Sequence, residues 1–267
     1  VLEFEFVISY LLLGSFVGVM AGLFGIGGGG IMVPVLTTLF VMQGVPVEQV
    51  VHLALGTSMA SIIFTSISSM RSHHANGAVI WKIVKSIAIG IIIGTFLATF
   101  IASKINSLYL AIFFSAFMAY TSLKMFLNKP PKANKQISGN KEIFFVGTGI
   151  GAISALVSIG GGTLTVPYLV SRNIDIKKAV GTSSAIGLPI SIAGTIGYLV
   201  NGWPTSSWDT YTLGFVYIPG VLLISLTSFF TAPYGAKLVQ YLPVATLKKV
   251  FSLLLILLSI KMLISIL

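Results

Sequence analysis

The feature that most constrains this chain is a duplication. Residues 14–34 read GSFVGVMAGLFGIGGGGIMVP and residues 147–167 read GTGIGAISALVSIGGGTLTVP, with nine of twenty-one positions identical and no gap. The shared core runs from Ile26 to Gly29 with Val33-Pro34, and from Ile159 to Gly162 with Val166-Pro167. Further matches follow in each half. Gly56-Thr57-Ser58 answers Gly181-Thr182-Ser183, and Leu123-Lys124-Met125 answers Ile260-Lys261-Met262. A self-similarity that spans the chain has to be built as two related units.

Those units belong in a bilayer. Only 8% of the 267 residues are charged and 55% are hydrophobic, whereas a soluble domain carries about 25% charged residues. Uninterrupted apolar runs long enough to cross, about 20 residues, lie near 50–70, 83–103, 108–127, 177–200, 211–232 and 247–267. The expected organisation is a first transmembrane repeat over 1–127, a polar cytoplasmic linker over 128–141 and a second transmembrane repeat over 142–267. Trp81, Trp203 and Trp208 fall at span ends, where amphipathic rings favour the headgroup region. The net charge of +10 does not indicate nucleic acid, because the positive residues sit singly between apolar runs and read as orientation signals. The absence of cysteine excludes disulfides and thiolate chemistry. An acidic start, with Glu3 and Glu5, is unlike the basic start of a cleavable signal peptide.

Two apolar segments, 7–42 and 143–171, are interrupted by their glycine clusters. Their second limbs are too short to cross at 1.5 Å per residue. If 143–171 enters and returns, fourteen of the sixteen basic residues lie on one side, with only Lys104 and Lys261 opposite. The positive-inside rule prefers that arrangement. Each repeat is then one glycine-broken re-entrant helical hairpin plus three transmembrane helices. Because three is odd, the expected fold is all-α with two inverted-topology repeats, a recurring transporter architecture. The basic loops are expected in the cytoplasm and both termini outside, in a multi-pass protein of the plasma membrane.

A helix broken at membrane depth frees backbone groups that lipid cannot satisfy, so the breaks must be covered by protein or by a water-filled cavity. Two breaks at equivalent places in inverted halves should meet. Behind each, a short helix starts with unpaired N–H groups and a positive dipole end, which suits an anion. The expected substrate-binding residues are Gly27, Gly28, Gly29 and Gly30 with Thr57 and Ser58, and Gly160, Gly161, Gly162 and Thr163 with Thr182 and Ser183. Thr165 and Ser184 are further nearby hydroxyls. All six acidic residues, Glu3, Glu5, Glu48, Glu142, Asp175 and Asp209, fall in loops or at span ends. Cation carriers usually bury a carboxylate within a span, so an anion is the better expectation. Gly14, Gly18 and Gly22, like Gly147 and Gly151, have the spacing that lets helices pack closely. His73 and His74 read as a solvated loop, and His52 as a satisfied interfacial histidine. The glycine run lacks the Gly-Lys-Ser/Thr ending of a nucleotide loop.

These residues resemble the sulfite exporter TauE/SafE family of membrane permeases. The resemblance rests on the duplicated glycine segment ending in Val-Pro, the Gly-Thr-Ser element of the next span and the polar mid-chain linker. It implies export of small sulfur-containing anions such as sulfite or organosulfonates, with Gly27–Gly29 and Gly160–Gly162 at the family's tips. The second tip departs from the first, with Thr163 where Gly30 stands and Ser158 where Gly25 stands. The partners expected are a small anionic substrate and the lipid bilayer, with protons as a candidate coupling ion and no nucleic acid. A homo-oligomer is compatible with this reading. No cofactor, metal or catalytic residue is expected. The alternatives are a permease for another small organic anion, or a cation channel or symporter using carbonyls at the tips. An intramembrane enzyme would need an acid–base or metal constellation within the spans, and the sequence offers none.

Overall fold

The computed structural model describes residues 3–127, 139–203, 211–238, 241 and 244–266. Among them the order is α1 (Phe4–Phe24), α2 (Gly29–Met42), α3 (Val47–Ala75), α4 (Trp81–Ala102), α5 (Ser107–Leu127), α6 (Asn140–Val157), α7 (Gly162–Ser171), α8 (Ile176–Gly202), β1 (Thr212–Leu213), β2 (Val216–Tyr217), α9 (Ile218–Leu238) and α10 (Val244–Ile266). Six of these helices, α1, α3, α4, α5, α8 and α9, are long and apolar enough to cross a membrane. The frame is that of a helical polytopic membrane protein. Most of the 128–141 linker lies outside the described residues, as do Trp208 and Asp209.

Four of the six expected spans are found as α3, α4, α5 and α8, each within a few residues of its expected bounds, and the run expected over 247–267 forms α10, which is not among the six helices named above. The sixth, expected over 211–232, is displaced: its helix starts only at Ile218. The preceding residues form a two-stranded antiparallel hairpin, Thr212 opposite Tyr217 and Leu213 opposite Val216, turning through Gly214 at φ 55°. Apolarity alone did not separate this buried hairpin from the helix that follows.

Helix starts carry the acidic residues. Glu5, Glu48 and Glu142 lie in first turns, where the positive end of the helix dipole favours a carboxylate. Asp175 caps α8, its carboxylate accepting from the Lys177 and Lys178 amides. His73 and His74 are not in a loop. They complete the last turn of α3, where His73 is buried and its Nε2 lies 3.0 Å from the Gly22 carbonyl oxygen. His74 instead accepts from Trp81 Nε1 at 3.1 Å. His52 is buried and satisfied, with ring nitrogens 3.0 Å from the Ala102 carbonyl and 3.2 Å from Ser107 Oγ.

Both glycine-broken segments turn back on themselves. The Glu142 carboxylate in the first turn of α6 pairs with Arg172, the residue that ends α7. Those two ends are therefore adjacent, and α6–α7 returns to the side it came from. In the first hairpin Tyr10 Oη donates to Gln43 Oε1 at 3.1 Å, joining α1 to the residue that ends α2.

The glycine stripes pack as their spacing predicts. A methyl group added at Gly14 or Gly18 would come within 2.8 Å of the Ile224 or Ser228 Cα of α9. On α6, one at Gly147 or Gly151 would press on the backbone of Ile87 or Ile91 in α4. Equivalent elements thus cross over: α1 of the first half lies on α9 of the second, and α6 of the second on α4 of the first. The equivalent helices α3 and α8 pack against each other and run antiparallel. Gly56 abuts Tyr198, Met59 abuts Gly194, Ser66 abuts Gly187 and Ser69 bonds Ser184. The pair α5 and α10 is also antiparallel, with Ser115 bonded to the Ser259 carbonyl and Lys249 over the Phe126 ring.

Candidate functional site

The two breaks meet at the centre of this arrangement. Each first limb stops at a left-handed residue whose amide returns to the last turn: Gly25 at φ 67° to Ala21, and Ser158 at φ 47° to Ser154. Each second limb starts behind a left-handed glycine, Gly28 at φ 82° and Gly161 at φ 85°. A side chain at those two positions would be strained, so the glycines are required by the turn itself.

Contact between the tips is backbone on backbone. Gly160 N–H donates to the Ile26 carbonyl at 3.0 Å. A Cβ on Gly27 would lie 2.9 Å from Gly160 Cα, and one on Gly160 would lie 2.9 Å from Gly27 Cα. A Cβ on Gly29 would collide with the Ser158 carbonyl, and one on Gly162 with the Gly25 carbonyl. Gly27, Gly29, Gly160 and Gly162 are therefore brought together, while Gly28 faces Val17 and Gly161 faces Ile190. Gly30 faces Met118 of α5 and Leu255 of α10. Thr163, at the matching place, has a buried hydroxyl with no partner among the described residues.

Behind the tips, the amides that open α2 and α7 are short of acceptors. The Gly28 carbonyl takes the Ile31 and Met32 amides, and the Gly161 carbonyl takes those of Leu164 and Thr165. The earlier amides, of Gly29, Gly30, Gly162 and Thr163, have no backbone acceptor among the described residues. Thr165 and Ser58 are fully buried, and their hydroxyls likewise have no partner there.

The Gly-Thr-Ser elements divide their work by residue. Thr57 Oγ1 accepts the Tyr217 amide at 3.0 Å, and Thr182 Oγ1 accepts the Ile80 amide at 3.0 Å. A Cβ at Gly56 would strike the Phe215 carbonyl, and one at Gly181 would lie 2.6 Å from the Ala78 carbonyl. Each Gly-Thr pair is thus a clasp on the segment that enters the fourth helix of the opposite half. The threonines are spent on that contact rather than aimed at the tips. The serine reaches the tip: Ser183 Oγ donates to the Gly25 carbonyl at 3.2 Å. Ser58 is its counterpart on α3, and Ser158 donates to the carbonyl of Leu55, three residues before it, at 3.1 Å.

A narrow cleft, too tight for a free water molecule, borders the first tip and is lined by Ala21, Gly25, Gly27, Thr65, Ser66, Ser69 and Ser184. Thr65, Ser66 and Ser69 were not singled out from the sequence. The signal that would have found them is the run of hydroxyls along α3, where Thr57, Ser58, Ser61, Thr65, Ser66, Ser68, Ser69 and Ser72 interrupt an apolar span. No group of three or more His, Cys, Asp or Glu that could hold a metal exists among the described residues.

Comparisons with known proteins point to a membrane transporter. The family model described as sulfite exporter TauE/SafE matches residues 10–262. A probable membrane transporter protein of Haemophilus influenzae is 38% identical over 261 residues, covering 97% of this chain and 98% of its own. One from Methanocaldococcus jannaschii is 31% identical over 246 residues, covering 90% of each chain. A third, from Bacillus subtilis, is 27% identical over 238 residues, covering 86% and 89%. No solved structure gives a significant match. With a family match across nearly the whole chain and relatives aligned end to end, this protein is a membrane transporter belonging to the TauE/SafE family.

Proposed function

We propose that the chain is a secondary transporter built as an inverted repeat, which carries small sulfur-containing anions such as sulfite or organosulfonates out across the plasma membrane by alternating access. The observation that carries this reading is the reciprocal meeting of the two glycine breaks, Gly25–Gly28 against Ser158–Gly161, between halves whose equivalent helices α3 and α8 run antiparallel. Antiparallel equivalents are what a two-fold axis in the membrane plane produces, and such repeats place their substrate at the shared interface.

The anion would be held by neutral donors: the unaccepted amides at the starts of α2 and α7, helped by Ser58, Thr163 and Thr165. Amides at a helix start bind anions without a buried cation. In the described residues the acidic side chains sit at helix starts, and none is among the nearest contacts of the tip glycines. The basic residues near helix ends, Arg71 of α3, Lys82 and Lys85 of α4 and Lys177 and Lys178 of α8, would face the cytoplasm and raise the local anion concentration. Neutral coordination binds loosely enough to release, as a carrier must. The family name supports the sulfur oxyanion.

The test is uptake of radiolabelled sulfite into proteoliposomes, competed with unlabelled sulfonate or carboxylate. Saturable uptake suppressed by sulfonate and not by carboxylate is expected. Uptake equal to that of empty liposomes, from protein shown to be folded, contradicts the substrate. Preferential competition by carboxylate would reassign the site to small organic anions.

A further inference from the structure

We infer that the cleft beside the first tip is a binding site for a small monovalent cation, Na⁺, which couples anion transport to the sodium gradient. The proposal rests on the transporter reading above and adds the ion that drives it.

Hydrogen-bond accounting carries the argument. A hydroxyl has one hydrogen and two lone pairs. Thr65 Oγ1 donates to the Ser61 carbonyl at 3.1 Å and lies 2.8 Å from Ser228 Oγ. Ser184 Oγ donates to the Val180 carbonyl at 3.1 Å, and Ser69 Oγ donates to Ser184 Oγ at 3.2 Å. Their hydrogens are committed, so what they present to the cleft is lone pairs. Ser66 is 3% exposed and lines the cleft. The cleft also lies against Ala21 and Gly25, where α1 ends. The Ala21, Gly22 and Gly25 carbonyls there already meet the Gly25 amide, the His73 ring and the Ser183 hydroxyl, and the helix end adds partial negative charge. Lone pairs and a carbonyl end favour a cation, whereas the amide-rich starts of α2 and α7 favour an anion. Discontinuous helices in transporters pair these two kinds of end in this way.

The donors also set the charge of the ion. Mg²⁺ and Ca²⁺ sites use carboxylates, and no Asp or Glu lines the cleft. Hydroxyl and carbonyl dipoles suffice for one positive charge. The repeat contains a built-in comparison. Aligning the two Gly-Thr-Ser elements puts Ile190 opposite Thr65, Gly194 opposite Ser69 and Met59 opposite Ser184. Met59 Sδ lies 2.9 Å from where a Gly194 Cβ would stand. In the second half a thioether and a glycine thus replace two of these hydroxyls, while Ser191 stands opposite Ser66, and Ser154 and Ser158 stand opposite Ala21 and Gly25.

The experiment is equilibrium binding of radioactive sodium to the purified full chain in detergent, with choline replacing sodium at constant ionic strength. Saturable binding is expected, weakened about tenfold or more in Thr65→Val and Ser69→Ala and unchanged in Thr95→Val, a buried hydroxyl on α4 away from the cleft. Sulfite uptake into proteoliposomes should rise with an inward sodium gradient and lose that dependence in Ser69→Ala. Absence of saturable sodium binding in folded protein, or binding unmoved in both cleft variants, overturns the proposal whether or not sulfite is carried. Sulfite uptake indifferent to sodium overturns the coupling. Intact sodium binding with no sulfite uptake contradicts the anion reading instead and leaves the ion site standing.

Discussion

At the scale of single residues, the tips show why glycine is concentrated where it is. Gly161 must adopt φ 85°, and a Cβ there would lie 2.7 Å from Ile190 Cδ1. Gly161→Ala is expected to cost about 1–2 kcal/mol for its left-handed backbone, and Gly161→Leu to abolish sulfite uptake while the protein still purifies as a folded species. Full uptake by the leucine variant would remove the tip from the transport path. Ser158 occupies the same kind of position at φ 47° without being glycine, and its hydroxyl is held by the Leu55 carbonyl. The clasp threonines make a separate prediction. Thr182→Val leaves the Ile80 amide without its acceptor and should cost about 1–3 kcal/mol, read as a lowered thermal midpoint. Thr182→Ser keeps the oxygen and should retain most of that stability. The tip glycines and their pairing were legible from the repeat alone. The role of the threonines was not, because their partners, Tyr217 and Ile80, lie more than a hundred residues away in the opposite half.

At the scale of elements, the fold is a set of helix pairs whose closeness depends on small residues. Without a hydrophobic drive between helices in lipid, packing has to come from close backbone approach. Gly18→Leu would push α1 off the Ser228 backbone of α9 and is expected to abolish folded protein, measured as loss of a monodisperse species in detergent. Gly149 is the contrasting case on α6, where an added Cβ meets nothing within 4 Å. Gly149→Ala should leave packing intact and raise stability by about 1 kcal/mol through helix propensity, seen as a higher thermal midpoint. The stripes Gly14-Gly18-Gly22 and Gly147-Gly151 declared this packing in advance, because a spacing of four is a local pattern. The partner helix was not declared, since nothing local distinguishes α9 from any other apolar span. The hairpin at 212–217 escaped for a related reason: short apolar strands and apolar helix read alike by hydropathy, and only Gly214 hints at the turn. The misplacement of His73 had another cause. Its basic neighbourhood reads as a loop, whereas the Gly22 carbonyl at the end of α1 receives its ring and keeps it inside the last turn of α3.

At the scale of the whole molecule, the two halves grip one another by matched contacts at opposite ends. Thr57 and Gly56 hold the segment before α9, while Thr182 and Gly181 hold the segment before α4. Because α3 and α8 run antiparallel, those clasps lie toward opposite ends of the helix pair, with the glycine tips between them. Under the alternating access proposed above, one clasp would open while the other stays shut. The absence of cysteine makes this directly testable in an otherwise unreactive chain. A Cβ at Gly181 would lie 2.8 Å from the Ala78 Cβ, so a small adjustment brings the pair Ala78→Cys and Gly181→Cys to the separation of about 3.8 Å that a disulfide spans. The decisive measurement is sulfite uptake by this double variant, oxidised and then reduced, with each single variant treated alongside. Uptake that disappears on oxidation, returns on reduction and is unaffected by oxidation in the single variants is the predicted result. Undiminished uptake with the cross-link formed to completion would contradict alternating access between the two halves.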